Sequence, residues 1–262
     1  TMLFMGGDPT LRYLGRSYPQ NAAEAQQVTL IRDRHFQMAH RHKISLIDSN
    51  DDYGASSDRP SPDWLPRLSG ALFQPERGYD GPGVGVGNNV FSIGTYGSWN
   101  WATDTLMRAH ADAWVGWFDG NSPQTEYFLY LIDEVYDFAK INAWASVLNS
   151  HSGPGRRLMS FATIGAPLAA VNAPALDIAC STGGIGVPER WEAARAYYSG
   201  QDEKRFCFYN GRRPQSGSFM IEDDGVALRQ VAWAQYKLGV QRWFYWESTY
   251  YNNFQAGAGQ TN

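Results

Sequence analysis

The stretch EYFLYLIDEVYDFAKINAWASVLNSH, residues 126–151, decides how the rest of the chain is read. EYFLYLID (126–133) is a nearly unbroken apolar and aromatic run, the pattern of a strand covered on both faces. VYDFAKINAWASVLNSH (135–151) carries its apolar residues at helical spacing. Between them stand Asp133 and Glu134. A strand followed at once by a helix is half of a βαβ unit, and the two acids occupy the strand's carboxyl end. Two adjacent carboxylates repel, and burying either is costly. The alternative to a functional pair is a cap on the following helix, where acids meet the positive helix end.

The same alternation extends in both directions. Strands are expected at 1–7, 44–48 and 90–94 before this unit, and at 158–164, 175–181, 205–210 and 240–246 after it. Helices are expected at 21–43 with Asn21 as cap, at 100–118, at 188–200 with Pro188 at its start, and at 224–239 closed by Gly239. A short turn-rich link joins the fifth strand to the sixth. Eight strands alternating with helices predict an α/β fold with parallel strands, and eight is the number that closes a single (β/α)8 TIM-type barrel. Such barrels commonly fill about 250 residues, so the 262 residues are expected to form one domain, 1–262. A chain beginning at Thr1 is expected to be an excised part of a longer one. The Pro-, Gly- and Ser-rich segment 49–88 is too long for an ordinary connector and is expected to be a functional or mobile loop.

Composition excludes several classes. Charged residues make up 18% and the net charge is -4, which argues against nucleic acid, since phosphate binding needs a basic face. No run approaches the ~20 apolar residues of a membrane span, and no signal peptide is visible. Cellular location is not readable. Cys180 and Cys207 make neither a disulfide framework nor a metal site. They read as small buried strand residues, with a bridge between them as the alternative. Aromatics reach 15%, which fits either a large aromatic core or a carbohydrate site with rings stacked on sugars.

In a barrel of this type chemistry gathers at the carboxyl ends of the strands. Those positions hold Asp48, Asn50, Asp51 and Asp52 after the second strand, and Tyr96, Trp99 and Asn100 after the third. Asp133 and Glu134 follow the fourth. Tyr209 and Asn210, with Arg212 and Arg213 behind them, follow the seventh, and Trp246, Glu247, Tyr250 and Tyr251 follow the eighth. Asp48–Asp52 could equally form a capping and turn cluster, and Glu247 could pair with Arg212 or Arg213. DSNDDYG (48–54) is no calcium loop of the helix–loop–helix kind, because Gly falls at its seventh position and Arg59 stands where the bidentate Glu belongs. GPGVGVG (81–87) precedes a strand, so it is not a dinucleotide fingerprint. His35, His40, His42, His110 and His151 fall on helices or at a helix end. Neither a metal nor an organic cofactor is implied. Acids ringed by Trp, Tyr and amides suit glycosidic cleavage, which needs a proton for the leaving oxygen and negative charge beside an oxocarbenium-like centre.

YLIDEV (130–135), together with FYNGRRPQSGSFMIEDDGVALRQVAWAQYKLGVQRWFYWESTYY (208–251), resembles glycoside hydrolase family 123 over roughly residues 120–255. The resemblance implies a retaining β-N-acetylgalactosaminidase-type barrel acting on 2-acetamido sugars, with a β-sandwich domain expected before it. It implies that Glu134 is the general acid and later the base. Asp133 would hold the acetamido N–H and turn its carbonyl oxygen onto the anomeric carbon. Asp48, Asn50, Tyr96, Trp99, Tyr209, Asn210, Trp246, Glu247 and Tyr250 are the candidate sugar-binding residues. Two other readings use the same residues. One is a conventional two-carboxylate glycosidase with Glu134 as acid and Glu247 as nucleophile. The other is a non-catalytic carbohydrate-binding barrel built on Trp99, Trp246 and Tyr250.

Overall fold

The computed structural model describes residues 2–5, 13–16, 18–48, 57–182, 188–201, 203–211, 217 and 223–246, with backbone alone at 2–5, 48 and 188–191. Among them are eight strands and seven helices. The chain divides into two compact units.

The first unit comprises 1–51, 61–90 and 245–262. In it β1 (Met2–Met5) pairs in parallel with β2 (Ser45–Asp48). Helix α1 (Ala22–Arg41) starts where expected, with the Asn21 side chain accepting the Glu24 N–H at 2.9 Å. Its buried Val28, Phe36 and Ala39 face inward. The segment expected to be a loop is instead folded over 61–88. It contains helix α2 (Trp64–Ser69) and two short 3-10 turns, Ala71–Phe73 and Pro75–Arg77. Trp64, Leu68, Leu72 and Phe73 are almost wholly buried there. Trp64 and Leu68 lie one turn apart on α2, and the left-handed Gly70 turns the chain into the 3-10 segment that buries Leu72 and Phe73. Phe36 meets Trp64 edge-on at 5.3 Å, and the Arg67 guanidinium lies 4.1 Å from the Phe36 ring.

The second unit comprises 52–60 and 91–244. Along the chain it runs β3 (Val90–Ile93), α3 (Asp104–Asn121), β4 (Glu126–Asp133), α4 (Phe138–Asn149), β5 (Met159–Thr163), α5 (Ala166–Asn172), β6 (Ile178–Thr182), α6 (Pro188–Ser199), β7 (Arg205–Tyr209), α7 (Gly225–Leu238) and β8 (Arg242–Tyr245). The link expected between the fifth and sixth strands is itself helical, started by Pro167 in its first turn. With α5 in place, every pair of successive strands here is joined through a helix. The six strands lie in the order β3-β4-β5-β6-β7-β8, and the pairs from β4 to β8 are parallel.

This sheet is curled. Strands β4 and β8 are four steps apart, roughly 19 Å in a flat sheet at about 4.8 Å per step. Yet the Phe128 and Phe244 rings are 6.0 Å apart, and Arg242 on β8 is ion-paired with Glu126 on β4. Phe161 fills the space between, 4.6 Å from Phe128, 4.6 Å from Tyr130 and 5.2 Å from Phe244. The concave face is therefore a packed aromatic core, and the unit is a parallel α/β half-barrel. On the convex face α3 buries Met107, Ala111, Trp114, Val115 and Phe118, and Phe118 stacks on Tyr127 at 4.2 Å.

The amino edge of the sheet is tied by buried polar groups. Asp177 accepts the Ser160 N–H at 2.8 Å and its hydroxyl at 2.7 Å, and the Lys204 ammonium donates to the carbonyls of Pro174 and Leu176. Burial pushes the Asp177 carboxyl up and the Lys204 ammonium down from their ordinary values. Cys180 and Cys207 are register neighbours on β6 and β7, both buried and both free thiols.

Candidate functional site

Both acids lie at the carboxyl edge of the second unit, and neither caps a helix. The cap of α4 is Asp137, whose side chain accepts the Lys140 N–H at 3.1 Å. Asp133 ends β4, and Glu134 is the first residue beyond it, with φ 52.

A bulge in β4 sets this end of the strand. Tyr130 pairs with Phe161 and Ile132 with Ala162, so Leu131 has no Cα partner on β5. In a regular strand, residues three apart face opposite ways. The extra residue turns Asp133 onto the face that carries Tyr130. There Asp133 Oδ1 accepts the Tyr130 hydroxyl at 2.6 Å and the Thr163 hydroxyl at 2.6 Å. The two hydroxyl oxygens are 3.2 Å apart. Burial, and then the negative charge of Asp133, push the Tyr130 phenol far above its ordinary value, so it remains a donor.

The bulged segment is also gripped from the third strand. Trp99 Nε1 donates to the Leu131 carbonyl at 3.0 Å. Gly97, at φ 79, passes so close that an added Cβ would stand 3.2 Å from the same carbonyl oxygen. The Trp99 ring meets Trp144 at 4.7 Å and Trp101 at 5.8 Å. Tyr96 sits 5.9 Å from the Tyr130 ring and is partly exposed.

Glu134 is exposed, and its Oε1 accepts the hydroxyl of Tyr209 from the end of β7. Burial, followed by this hydrogen bond, pushes the Tyr209 phenol well above its ordinary value. Asn210 follows at φ 56, its N–H donating to the Phe244 carbonyl and its own carbonyl accepting Trp243 Nε1 at 2.8 Å. Three non-glycine residues with positive φ, Tyr96, Glu134 and Asn210, thus stand just past the ends of β3, β4 and β7. Each carries a backbone cost on the order of 1 kcal/mol, and such strain concentrates at functional sites.

Of the sequence-derived candidates, Asp133, Glu134, Tyr96, Trp99, Tyr209 and Asn210 come together on this edge. Asp48 is the last residue of β2 in the first unit, and its side chain lies outside the described residues, as do Asn50, Glu247 and Tyr250. Trp246 belongs to the first unit and is 44% exposed. Sequence reasoning passed over Tyr130 and Thr163. The fifth strand is expected from sequence to run to 164, and only the sheet register shows that Thr163 ends it level with Asp133.

Three histidines serve as tethers between segments. His110 pairs with Asp58, and His151 with Asp112 at 2.8 Å. His40 bridges Tyr79 and the Val86 carbonyl. A cavity of about 230 Å³ in the first unit opens beside His40 and Ser45, at the start of β2. Two of its polar side chains are turned onto the protein: Ser45 donates to Asn89 at 2.6 Å and Asn88 to the Leu46 carbonyl at 2.8 Å. Among the described residues no group of three or more His, Cys, Asp or Glu could hold a metal ion, and no helix is long and apolar enough to cross a membrane.

Compared with known proteins, the chain matches no family model and no curated protein. The fold and the site define a class on their own terms: a parallel α/β half-barrel with an adjacent carboxylate pair at the carboxyl edge of its sheet.

Proposed function

We propose that this chain is a glycoside hydrolase built on a single (β/α)8 barrel, cleaving a 2-acetamido-hexoside of the β-N-acetylgalactosaminide kind with retention. One observation supports the reading above all. The two neighbouring carboxylates have separate environments, Asp133 under the Tyr130 and Thr163 hydroxyls and Glu134 under Tyr209. Two acids with different surroundings can take different roles in one reaction.

In this reading Glu134 gives a proton to the glycosidic oxygen as the bond to the anomeric carbon breaks. The acetamido carbonyl oxygen of the substrate attacks that carbon. Asp133 accepts the acetamido N–H and balances the charge of the resulting oxazolinium. Glu134, now a carboxylate, takes a proton from the water that opens the ring. With a nucleophile inside the substrate, no second carboxylate is needed at the ~5–5.5 Å separation of ordinary retaining enzymes. Tyr96 and Trp99 offer rings for the sugar face, and the protein needs no cofactor for this chemistry.

The test is hydrolysis of a chromogenic β-N-acetylgalactosaminide by the parent, Glu134→Gln and Asp133→Asn. Positioned acid–base groups contribute about 10²–10⁴-fold, so both variants should lose at least ~100-fold in kcat. An Asp133→Asn variant as active as the parent contradicts substrate assistance by this pair. Oligosaccharide binding without cleavage by the parent favours a binding module.

A further inference from the structure

One hydroxyl serves both acids. Thr163 Oγ1 donates to Asp133 Oδ1 at 2.6 Å and accepts the backbone N–H of Glu134 at 2.9 Å. Thr163 is buried, and it stands in register with Asp133 on the adjoining strand. A hydroxyl supplies one donor and two acceptor sites, so a single Thr fixes a side chain and the following peptide at once. That peptide leads into the left-handed turn at Glu134, φ 52, which an L-residue does not adopt without support. Beyond the turn the Glu134 carboxylate reaches Tyr209 on β7, while Asp133 stays with Tyr130.

We propose that Thr163 is the positioning residue of the acid pair: by holding the Asp133 carboxylate and the Glu134 N–H together, it keeps the turn that sends the two carboxylates to separate tasks. Its catalytic consequence rests on the hydrolase reading given above; the clamp itself does not. A residue that merely fills space between β4 and β5 would be replaced by Val without loss, because Val has the shape of Thr and lacks the hydroxyl.

The experiment compares the parent with Thr163→Ser, Thr163→Val and Thr163→Cys. The thiol of the last is a weak donor and a weak acceptor. Two readouts are taken: hydrogen exchange at the Glu134 amide, and kcat and KM on a chromogenic β-N-acetylgalactosaminide. Thr163→Ser should keep both within about threefold of the parent. In Thr163→Val the Glu134 amide should exchange at least ~10-fold faster. Its kcat should fall about 100-fold with KM changed less than about threefold, as expected when a reacting group is misplaced while the sugar still binds. Thr163→Cys should fall between Ser and Val, and it carries the test if Val does not fold. Unchanged amide protection, or kcat within about threefold of the parent, in Val or, failing that, Cys, overturns the proposal. If the parent cleaves no acetamido sugar, the hydrolase reading falls and the amide readout alone decides the clamp.

Discussion

The Tyr209 hydroxyl donates to Glu134 Oε1 although β5 and β6 lie between their strands. Three steps of a flat sheet span roughly 14 Å, and strand side chains stand out of the sheet rather than along it, so a flat sheet would keep the two groups apart. The contact therefore depends on the curl that also brings Phe128 to Phe244. Curvature set by an aromatic core becomes, at the carboxyl edge, the means by which residues from distant strands meet.

Tyr209→Phe removes that hydrogen bond and little else. Because burial and Glu134 keep the phenol protonated, Tyr209 remains a donor across the ordinary pH range. Its loss should lower kcat on an acetamido substrate by about 10-fold, in keeping with hydrogen bonds to charged groups, and leave the melting temperature within a few degrees. Steady-state kinetics and a melting curve on the same sample check both halves, and unchanged kcat would show that Tyr209 does not orient Glu134.

Phe161 holds the curl. It is fully buried and touches the rings of Phe128, Tyr130 and Phe244. Phe161→Ala should cost about 3–5 kcal/mol in urea unfolding. Val171→Ala, at a residue 77% exposed, should stay within about 0.5 kcal/mol. Equal effects would contradict a core centred on Phe161.

Trp99 ties the third strand to the bulge. Trp99→Phe keeps an aromatic ring and removes the donor to the Leu131 carbonyl. The expected loss is about 1 kcal/mol, with weaker substrate binding than the parent. Thermal shift and KM together test this, and a variant matching the parent in both would remove Trp99 from the site's support.

His40 gives the first unit a pH dependence with a defined sign. Burial pushes its imidazole below the ordinary value of 6.5. In the neutral ring Nε2–H donates to the Val86 carbonyl, while Nδ1 lies 2.7 Å from the Tyr79 hydroxyl, whose proton goes to the Pro82 carbonyl. Because the folded pKa is depressed, the unfolded chain takes up the proton first. The stability is present above about pH 6.5 and is lost as pH falls toward the folded pKa. The urea midpoint should therefore drop on acidification below about pH 6.5, and His40→Gln should flatten that drop. The same slope in both proteins would assign it to other groups.

Much of this architecture is legible in the sequence because alternation is local. The run 126–133 and the helix after it declare a βα unit, and placing Asp133, Glu134, Tyr96, Trp99 and Tyr209 at strand ends follows from order along the chain. What the sequence hides depends on geometry across the sheet. Tyr130 reads as one more core aromatic, and its three-residue offset from Asp133 argues for opposite faces until the bulge at Leu131 is seen. Thr163 is β-branched and ends a strand, which ordinary strand preference already explains. The packed segment around Trp64 and Leu68 was masked by the Pro and Gly residues that turn it. No periodicity encodes the meeting of Phe128 with Phe244.

The most direct test sets β-N-acetylgalactosaminide and β-N-acetylglucosaminide against the matching plain galactoside and glucoside, with the unmodified protein. Substrate assistance predicts cleavage of acetamido sugars alone, because a plain hydroxyl at that position cannot attack the anomeric carbon as the amide oxygen does. Comparable cleavage of the plain hexosides would contradict the account and move the search for a nucleophile to Glu247.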